Sequence, residues 1–278
     1  MNARLIDINE YELSGGGKLG ESYIRRDNPD VLLKLYSTRL EAEGLEDYAR
    51  ACKVYRIGVP CPEPGELVRT GDGRLGILYK RIVGKKSYAR ALSEHPELVD
   101  TYAVAFARLT RELHSTKPEP GLFPSAKEQY VKGVYANPYL SSDEKKRLER
   151  YIDALPDGDT AVHGDLHHGN AIFTEDGKQY FIDLGDFCTG TPYFDLGIVY
   201  LQTCLVPEEI EQELYHIGLP LSKAFWKTFV AAYFGPDIPL EEVAELLKPY
   251  AVLRILVVER ATGVPFPFIR PELRSMIY

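Results

Sequence analysis

Two short motifs joined by a hairpin constrain this chain more than any other stretch: His163-Gly164-Asp165-Leu166-His167-His168-Gly169-Asn170 and Ile182-Asp183-Leu184-Gly185-Asp186. Between them lie an apolar run (Ala171 to Phe173), the turn pair Asp176-Gly177 and a second run (Tyr180 to Ile182), the pattern of a β-hairpin. A hairpin returns to where it began. Asn170 at its entrance and Asp183 at its exit are therefore expected side by side, with Asp165 one loop upstream. Phosphoryl transfer needs hard oxygen ligands for Mg²⁺ and a positioned carboxylate for the acceptor hydroxyl. Asp165 suits the base and Asp183 the metal. Asn170 adds a neutral oxygen ligand without a charge that would repel a triphosphate.

Taken singly, an Asp or His in such a loop is more often a cap or a satisfied core residue than a catalyst. Order, spacing and the intervening hairpin agree on one mechanism, and that joint pattern favours function over accident. The pattern H-x-D-x-x-x-x-N, hairpin, D-x-G resembles the catalytic core shared by protein kinases and the aminoglycoside phosphotransferase and choline kinase family. The His-Gly-Asp opening and the Ile-Asp-x-x-Asp close are similar to the small-molecule branch. His168 stands where that family usually has Pro, a change expected to alter loop stiffness rather than chemistry.

The resemblance implies an α+β, two-lobed protein-kinase-like fold with a small antiparallel β-sheet lobe ahead of a larger, mainly helical one. The lobe boundary falls near Gly84, giving an ATP-binding lobe over 1–83 and a catalytic and substrate-binding lobe over 84–278. At the start, Leu5 to Leu13, Glu21 to Arg25 and Val31 to Tyr36 read as consecutive antiparallel strands with short turns. The first turn, Gly15-Gly16-Gly17-Lys18-Leu19-Gly20, fits G-x-G-x-x-G. A dinucleotide fold would follow those glycines with a helix, whereas Glu21 to Arg26 reads as a strand. Gly15, Gly17 and Gly20 thus suit a phosphate flap, as well as they suit a plain hairpin tip.

Lys34, within Val31-Leu32-Leu33-Lys34-Leu35-Tyr36, shares a face with Leu32 and Tyr36 by strand alternation, and a charge there needs a partner or a ligand. By the family resemblance it steadies the α- and β-phosphates and is held by a glutamate of the next helix, Thr38 to Ile57: Glu46, with Glu43 as the fallback. The resemblance also places adenine against backbone groups near Lys80 and Ile82, gives His163 a role in positioning the catalytic loop, and makes Asp195 a brace for it.

Glu97 to His114 carries one apolar helical stripe, with His114 a structural residue near its end. Further helices are expected at Ser142 to Leu155, Pro207 to Ile217, Leu221 to Phe234, Leu240 to Leu247 and Pro249 to Arg260. Glu208, Glu209, Glu211 and Glu213 invite a cationic-substrate pocket, but acids after a helix-starting Pro are expected from the helix dipole, and a solvated face is the simpler reading. Only Phe187 to Phe194 separate the second motif from the next helix, too short for a kinase activation segment. That omission points to a small-molecule acceptor.

The net charge of −8 comes without a basic block to follow a nucleic-acid backbone, so nucleic acid is not an expected partner, and a cationic acceptor is mildly favoured. The first residues lack a signal-peptide pattern and no run is long enough to span a bilayer; with Cys52, Cys61, Cys188 and Cys204 unpaired in pattern, a soluble cytoplasmic protein is expected. The expected reaction moves the γ-phosphoryl group of ATP, or of GTP, with Mg²⁺, to a hydroxyl of an aminoglycoside-like compound, amino alcohol or sugar. The rivals are a metal-dependent hydrolase with His163, Asp165, His167 and His168 as ligands beside Asp183, an atypical protein kinase, and a nucleotide-binding module without catalysis.

Overall fold

The computed structural model describes residues 3–17 and 20–278, so Lys18 and Leu19 of the glycine-rich turn lie outside the described residues. The chain divides into two compact units that interleave: the first runs to Lys86 and takes back Ile172–Gly185, and the second holds Ser87–Ala171 and Asp186–Tyr278. The hairpin between the two motifs therefore belongs, from Ile172 on, to the first unit.

The first unit contains β1 (Arg4–Ile6), β2 (Tyr11–Gly17), β3 (Gly20–Arg25), β4 (Val31–Tyr36), α1 (Glu41–Arg56), β5 (Pro64–Thr70) and β6 (Leu75–Lys80). Its six strands form one sheet in the order β1-β5-β6-β4-β3-β2. The expected single strand from Leu5 to Leu13 is broken. Asp7 caps a short 3-10 turn at Ile8–Glu10 by accepting from the Asn9 amide at 3.0 Å, and this diverts the chain. β1 then pairs parallel with β5, Arg4 opposite Val68, so the sheet is mixed rather than wholly antiparallel. Alternation along β4 sends Leu33 and Leu35 into a cluster with Ile6, Tyr11, Val68 and Leu78. Tyr36 faces the other way, with Leu67, Leu75 and Ile77. Lys34 shares the Tyr36 face, and its ammonium lies 5.1 Å from that ring's centre.

The chain leaves this unit through β7 (Lys86–Ser87) and continues as α2 (Tyr88–Glu94), α3 (Val99–Ser115), α4 (Ala126–Ala136), α5 (Ser142–Ala154) and β8 (Thr160–Val162). The hairpin strands β9 (Ala171–Phe173) and β10 (Gln179–Phe181) follow, closed by Gly177 N–H donating to Thr174 O at 2.9 Å. The rest is β11 (Cys188–Gly190), α6 (Tyr193–Tyr200), a π turn at Leu201–Leu205, α7 (Glu208–Tyr215), α8 (Leu219–Phe234), α9 (Leu240–Thr262) and α10 (Arg270–Ile277). Phe106 of α3 packs on Phe225 and Phe229 of α8, the aromatic centre of the second unit. Pro249 does not split α9 as expected. Tyr250, the residue after it, is seated between the rings of Tyr193 and Phe194 of α6, and that burial holds the helix through the proline. Among the described residues no helix is long and apolar enough to cross a membrane.

Candidate active site

In the second unit, β8 and β11 pair antiparallel with Val162 opposite Cys188, so the chain that follows β8 and the chain that precedes β11 leave adjacent strand ends. The first is the His163-Gly164-Asp165 loop and the second carries Asp186. Gly164 sits at φ +82°, and a Cβ there would strike the Asp186 carbonyl, which explains glycine at that place. The loop hangs on Asp195, a fully buried carboxylate at the start of α6. Asp195 accepts the backbone amides of His163 at 2.7 Å and Gly164 at 2.8 Å, and its Oδ2 lies 3.1 Å from His114 Nε2. His114 Nδ1 lies 2.8 Å from the Tyr233 hydroxyl, which ties the brace to α8. His163 is itself fully buried, and its Nδ1 accepts the Asp165 amide at 3.3 Å.

Asp165 is gripped by a residue that the sequence reading missed. Arg254, on α9, places Nη2 2.5 Å from Asp165 Oδ1 and Nη1 3.1 Å from Asp186 Oδ2, with its side chain only 11% exposed. Burial pushes the Asp165 carboxyl up, but the Arg254 guanidinium, with His167 and His163, outweighs that and holds it below the usual carboxylate range. Arg254 is a lone cation in the run Ala-Val-Leu-Arg-Ile-Leu-Val-Val. Like Lys34, it is a charge among apolar neighbours, which needs a partner. Asn170 donates from Nδ2 to Asp165 O at 3.0 Å and to Asp165 Oδ2 at 3.3 Å, so these two sequence-predicted residues do come together.

The neighbouring histidines have partners of their own. His167 Nδ1 accepts the Gly169 amide at 3.0 Å, and burial lowers the ring's pKa to about 4, against the pull of Asp165. His168 is buried and its Nε2 lies 3.1 Å from Oε1 of Glu211, which is equally buried. Tyr215, one helical turn beyond Glu211 on α7, sets its ring edge-on to His168 at 4.8 Å. Glu211 thus corrects the reading of that helix as a solvated acidic face. Its companions Glu208, Glu209 and Glu213 are not buried, while the stripe that Glu211 shares with Tyr215 turns inward. The hydrolase reading loses its ligand set in the same way. Among the described residues no group of three or more His, Cys, Asp or Glu side chains could hold a metal, and one ring nitrogen of each of these histidines already has a partner in Glu211, Gly169 or Asp165.

In the first unit, Lys34 Nζ lies 3.3 Å from Asp47 Oδ2 and 3.6 Å from Asp183 Oδ1. The acid of α1 that pairs with the lysine is therefore Asp47, in place of the expected Glu46 or Glu43, both of which are exposed. The buried stripe of α1 runs Gly44, Ala51, Val54, and Asp47 completes its 3-4-3 spacing; Glu46 falls about 100° away around the helix. The Tyr36 hydroxyl donates to the same Asp47 oxygen at 2.8 Å, and its own pKa is raised by burial and by that carboxylate. Asp183 has φ 59°, a left-handed conformation that Asp tolerates better than most residues.

Of the glycine flap, β2 and β3 pair with Gly15 opposite Ser22 and Gly17 opposite Gly20. Gly20 comes so close to the Leu35 carbonyl of β4 that a side chain there would collide with it. At the other end of the sheet, the Lys80 amide donates to Glu63 O at 3.0 Å and the Arg81 amide to Asp30 O at 2.6 Å. These two bonds fix the backbone just ahead of Ile82.

A mixed sheet bearing a lysine paired to a helix carboxylate, and a helical unit bearing a braced His-Gly-Asp loop, are the two halves of a protein-kinase-like fold. The chain belongs to the phosphotransferase enzyme family, whose model matches residues 11–240. Among curated proteins none matches it significantly. Among solved structures it is similar to an aminoglycoside-3'-phosphotransferase of type VIII, with 20% identity over 89% of this chain and 93% of that one and a TM-score of 0.62. It is also similar to aminoglycoside phosphotransferase APH(3'')-Id from Streptomyces rimosus in complex with ADP and streptomycin, at 19% identity over 87% of this chain and 92% of that one, with a TM-score of 0.54. A third similar structure is the choline kinase LicA from Streptococcus pneumoniae, at 15% identity over 95% and 90%, with a TM-score of 0.53.

Proposed function

We propose that this protein transfers the γ-phosphoryl group of ATP to a hydroxyl of a small molecule with the help of Mg²⁺. The observation that carries this reading is the state of Asp165, a carboxylate kept ionised by Arg254 and hydrogen-bonded by Asn170 at the end of a braced loop. An ionised, fixed carboxylate can accept the acceptor's hydroxyl proton while the hydroxyl oxygen forms its bond to the γ-phosphorus and the bond to ADP breaks. His163 positions that loop. Lys34, oriented by Asp47, steadies the α- and β-phosphates, and the flap at Gly15, Gly17 and Gly20 covers them. Adenine is read by backbone groups near Lys80 and Ile82. The first unit is the nucleotide-binding half and the second the acceptor-binding half.

The donor chemistry fits magnesium. Asn170, whose NH₂ donates to Asp165, has a side-chain carbonyl of the hard oxygen type that magnesium takes, and Asp183 offers a half-exposed carboxylate. Asn170 and Asp183 would hold the ion, which when bound neutralises charge on the β- and γ-phosphates. The nucleotide in the Streptomyces rimosus complex is ADP, in keeping with ATP as donor, and GTP is the alternative donor. Relatives named for aminoglycosides and for choline favour an acceptor carrying both a hydroxyl and an amine. The four free thiols suit a cytoplasmic setting. A phosphate-transfer screen of the purified protein with Mg·ATP or Mg·GTP across aminoglycosides, amino alcohols and sugars tests the reading, with Asp165→Asn as the blank. Transfer that survives Asp165→Asn at the wild-type rate would falsify the role given to that carboxylate.

A further inference from the structure

The two oxygens of Asp165 are not equivalent. Oδ1 is closed by Arg254 Nη2 at 2.5 Å. Oδ2 takes a long bond from Asn170 Nδ2 at 3.3 Å and faces His167 Nε2 at 4.0 Å. That last distance is too great for a direct hydrogen bond, which closes at about 2.7–3.2 Å, yet an oxygen about 2.8 Å from both atoms fits across the gap. Both side chains keep some exposure, 17% for His167 and 29% for Asp165, so the gap can be reached.

The protonation of the ring follows from its other nitrogen. The Gly169 amide, which can only donate, points at His167 Nδ1 at 3.0 Å, and the Tyr215 hydroxyl lies 3.5 Å from the same atom. Nδ1 therefore presents its lone pair, and the neutral ring carries its hydrogen on Nε2, the atom that faces Asp165. One side of the gap is an acceptor and the other a donor, the complement of a hydroxyl, which has one hydrogen to give and lone pairs to accept.

We propose that His167 is an acceptor-binding residue: its Nε2–H holds the oxygen of the reacting hydroxyl, whose own hydrogen points to Asp165 Oδ2. This rests on the phosphotransfer reading above and deepens it. It also sets a specificity, because an ammonium group has only donors and would meet Nε2–H with N–H. An amino alcohol must enter hydroxyl first.

The test compares wild type with His167→Asn, which keeps an oxygen for the Gly169 amide but whose NH₂ falls short of the position of Nε2, and with His167→Gln, which carries an N–H to about the reach of Nε2. Ethanolamine, choline, streptomycin and glucose are the probes, each with Mg·ATP. His167→Asn should lower kcat/KM for the phosphorylated probe by about tenfold to a hundredfold, the loss of one hydrogen bond to a group gaining charge. The Kd for ATP should not move, and His167→Gln should recover part of the loss. Equal kcat/KM in His167→Asn and wild type reduces His167 to a loop brace and overturns the proposal alone. A wild type that phosphorylates no probe overturns the phosphotransfer reading together with it. Should His167→Asn melt below the assay temperature, the ¹⁵N spectrum of the wild-type histidines decides: hydrogen on Nε2, shifting when the phosphorylated probe is added, supports the proposal, and hydrogen on Nδ1 defeats it.

Discussion

Arg254 and Asp165, 89 residues apart in sequence, meet as a guanidinium and a carboxylate oxygen at 2.5 Å, and this contact sets the protonation of the acid at the centre of the site. Burial alone would favour the neutral acid; the arginine reverses that. Removing the charge in Arg254→Gln leaves burial less opposed, so the Asp165 pKa rises. The sign for activity follows: an acid that must be ionised then titrates at higher pH, and the acid limb of the kcat/KM profile moves upward. Loss of positioning adds a fall of about ten- to a hundredfold at neutral pH. Arg254→Lys should restore the limb in part but not the rate, since one ammonium cannot reach Asp165 and Asp186 as a fork does. A pH–rate series on the three proteins checks this, and an unmoved acid limb in Arg254→Gln would count against it.

In the first unit, the role proposed for Lys34 should depend on Asp47 rather than on the glutamates beside it. Lys34 and Asp47 are 26% and 14% exposed, sheltered enough for their pairing to matter. Asp47→Asn should weaken ATP binding by about fivefold, equivalent to ~1 kcal/mol. Glu46→Gln and Glu43→Gln, on the exposed side of α1, should leave the Kd within about twofold. Calorimetric titration with ATP separates the three, and a larger effect from Glu46 would reverse the assignment.

How far the sequence could be read depends on whether the deciding interaction is local. The β4 strand at Val31–Tyr36 was legible because alternation and a lone lysine are properties of six consecutive residues. The loop from His163 to Asn170 was legible as a motif, and the hairpin after it as a turn between two apolar runs. The helices α2, α4 and α10 were not assigned at all; α4 carries a Ser125–Glu128 capping box that offered a local signal. The parallel pairing of β1 with β5 could not be seen, because it depends on where a capped turn sends the chain. Asp47 is passed over in the sequence for Glu46, and Glu211 is read there as a solvated acid, for one reason. Each is an acid among several on a helix, and its neighbours disguise the inward stripe it occupies. Arg254 was overlooked although its apolar setting marked it.

Asp195 should prove the most destabilising polar residue to alter in the second unit. It takes two backbone amides and a histidine nitrogen with no exposure to water. In Asp195→Asn one oxygen becomes an NH₂ that faces a donor, and an unsatisfied buried group plus a lost charge-assisted bond costs about 3 kcal/mol. The midpoint of thermal unfolding should fall by about 5 °C for a chain of this size. Gly164→Ala should act on the same loop through backbone strain and collision with Asp186. Because both act through the loop's backbone, the double variant should be less destabilised than the sum of the two. Additive melting shifts would show that Asp195 and Gly164 act independently.

The thiols offer a check on the two units that needs no substrate. Burial pushes Cys61 up to about 12 and Cys204 to about 11, and in both cases burial is the first cause. The thiolate is the reactive form, so at pH 8 only about one Cys61 in ten thousand is reactive even before access is considered. Cys61, in the first unit, and Cys204, in the π turn of the second, should therefore resist a disulfide exchange reagent in the native protein. Raising the pH from 7 to 9 should speed the native reaction in proportion to hydroxide without reaching a plateau, because both thiols still titrate above that range. In denaturant all four cysteines should react within the mixing time. Labelling followed by mass spectrometry assigns each site, and rapid native labelling of Cys61 would mean that the strand of the sheet it precedes is less closed than its 5% exposure indicates.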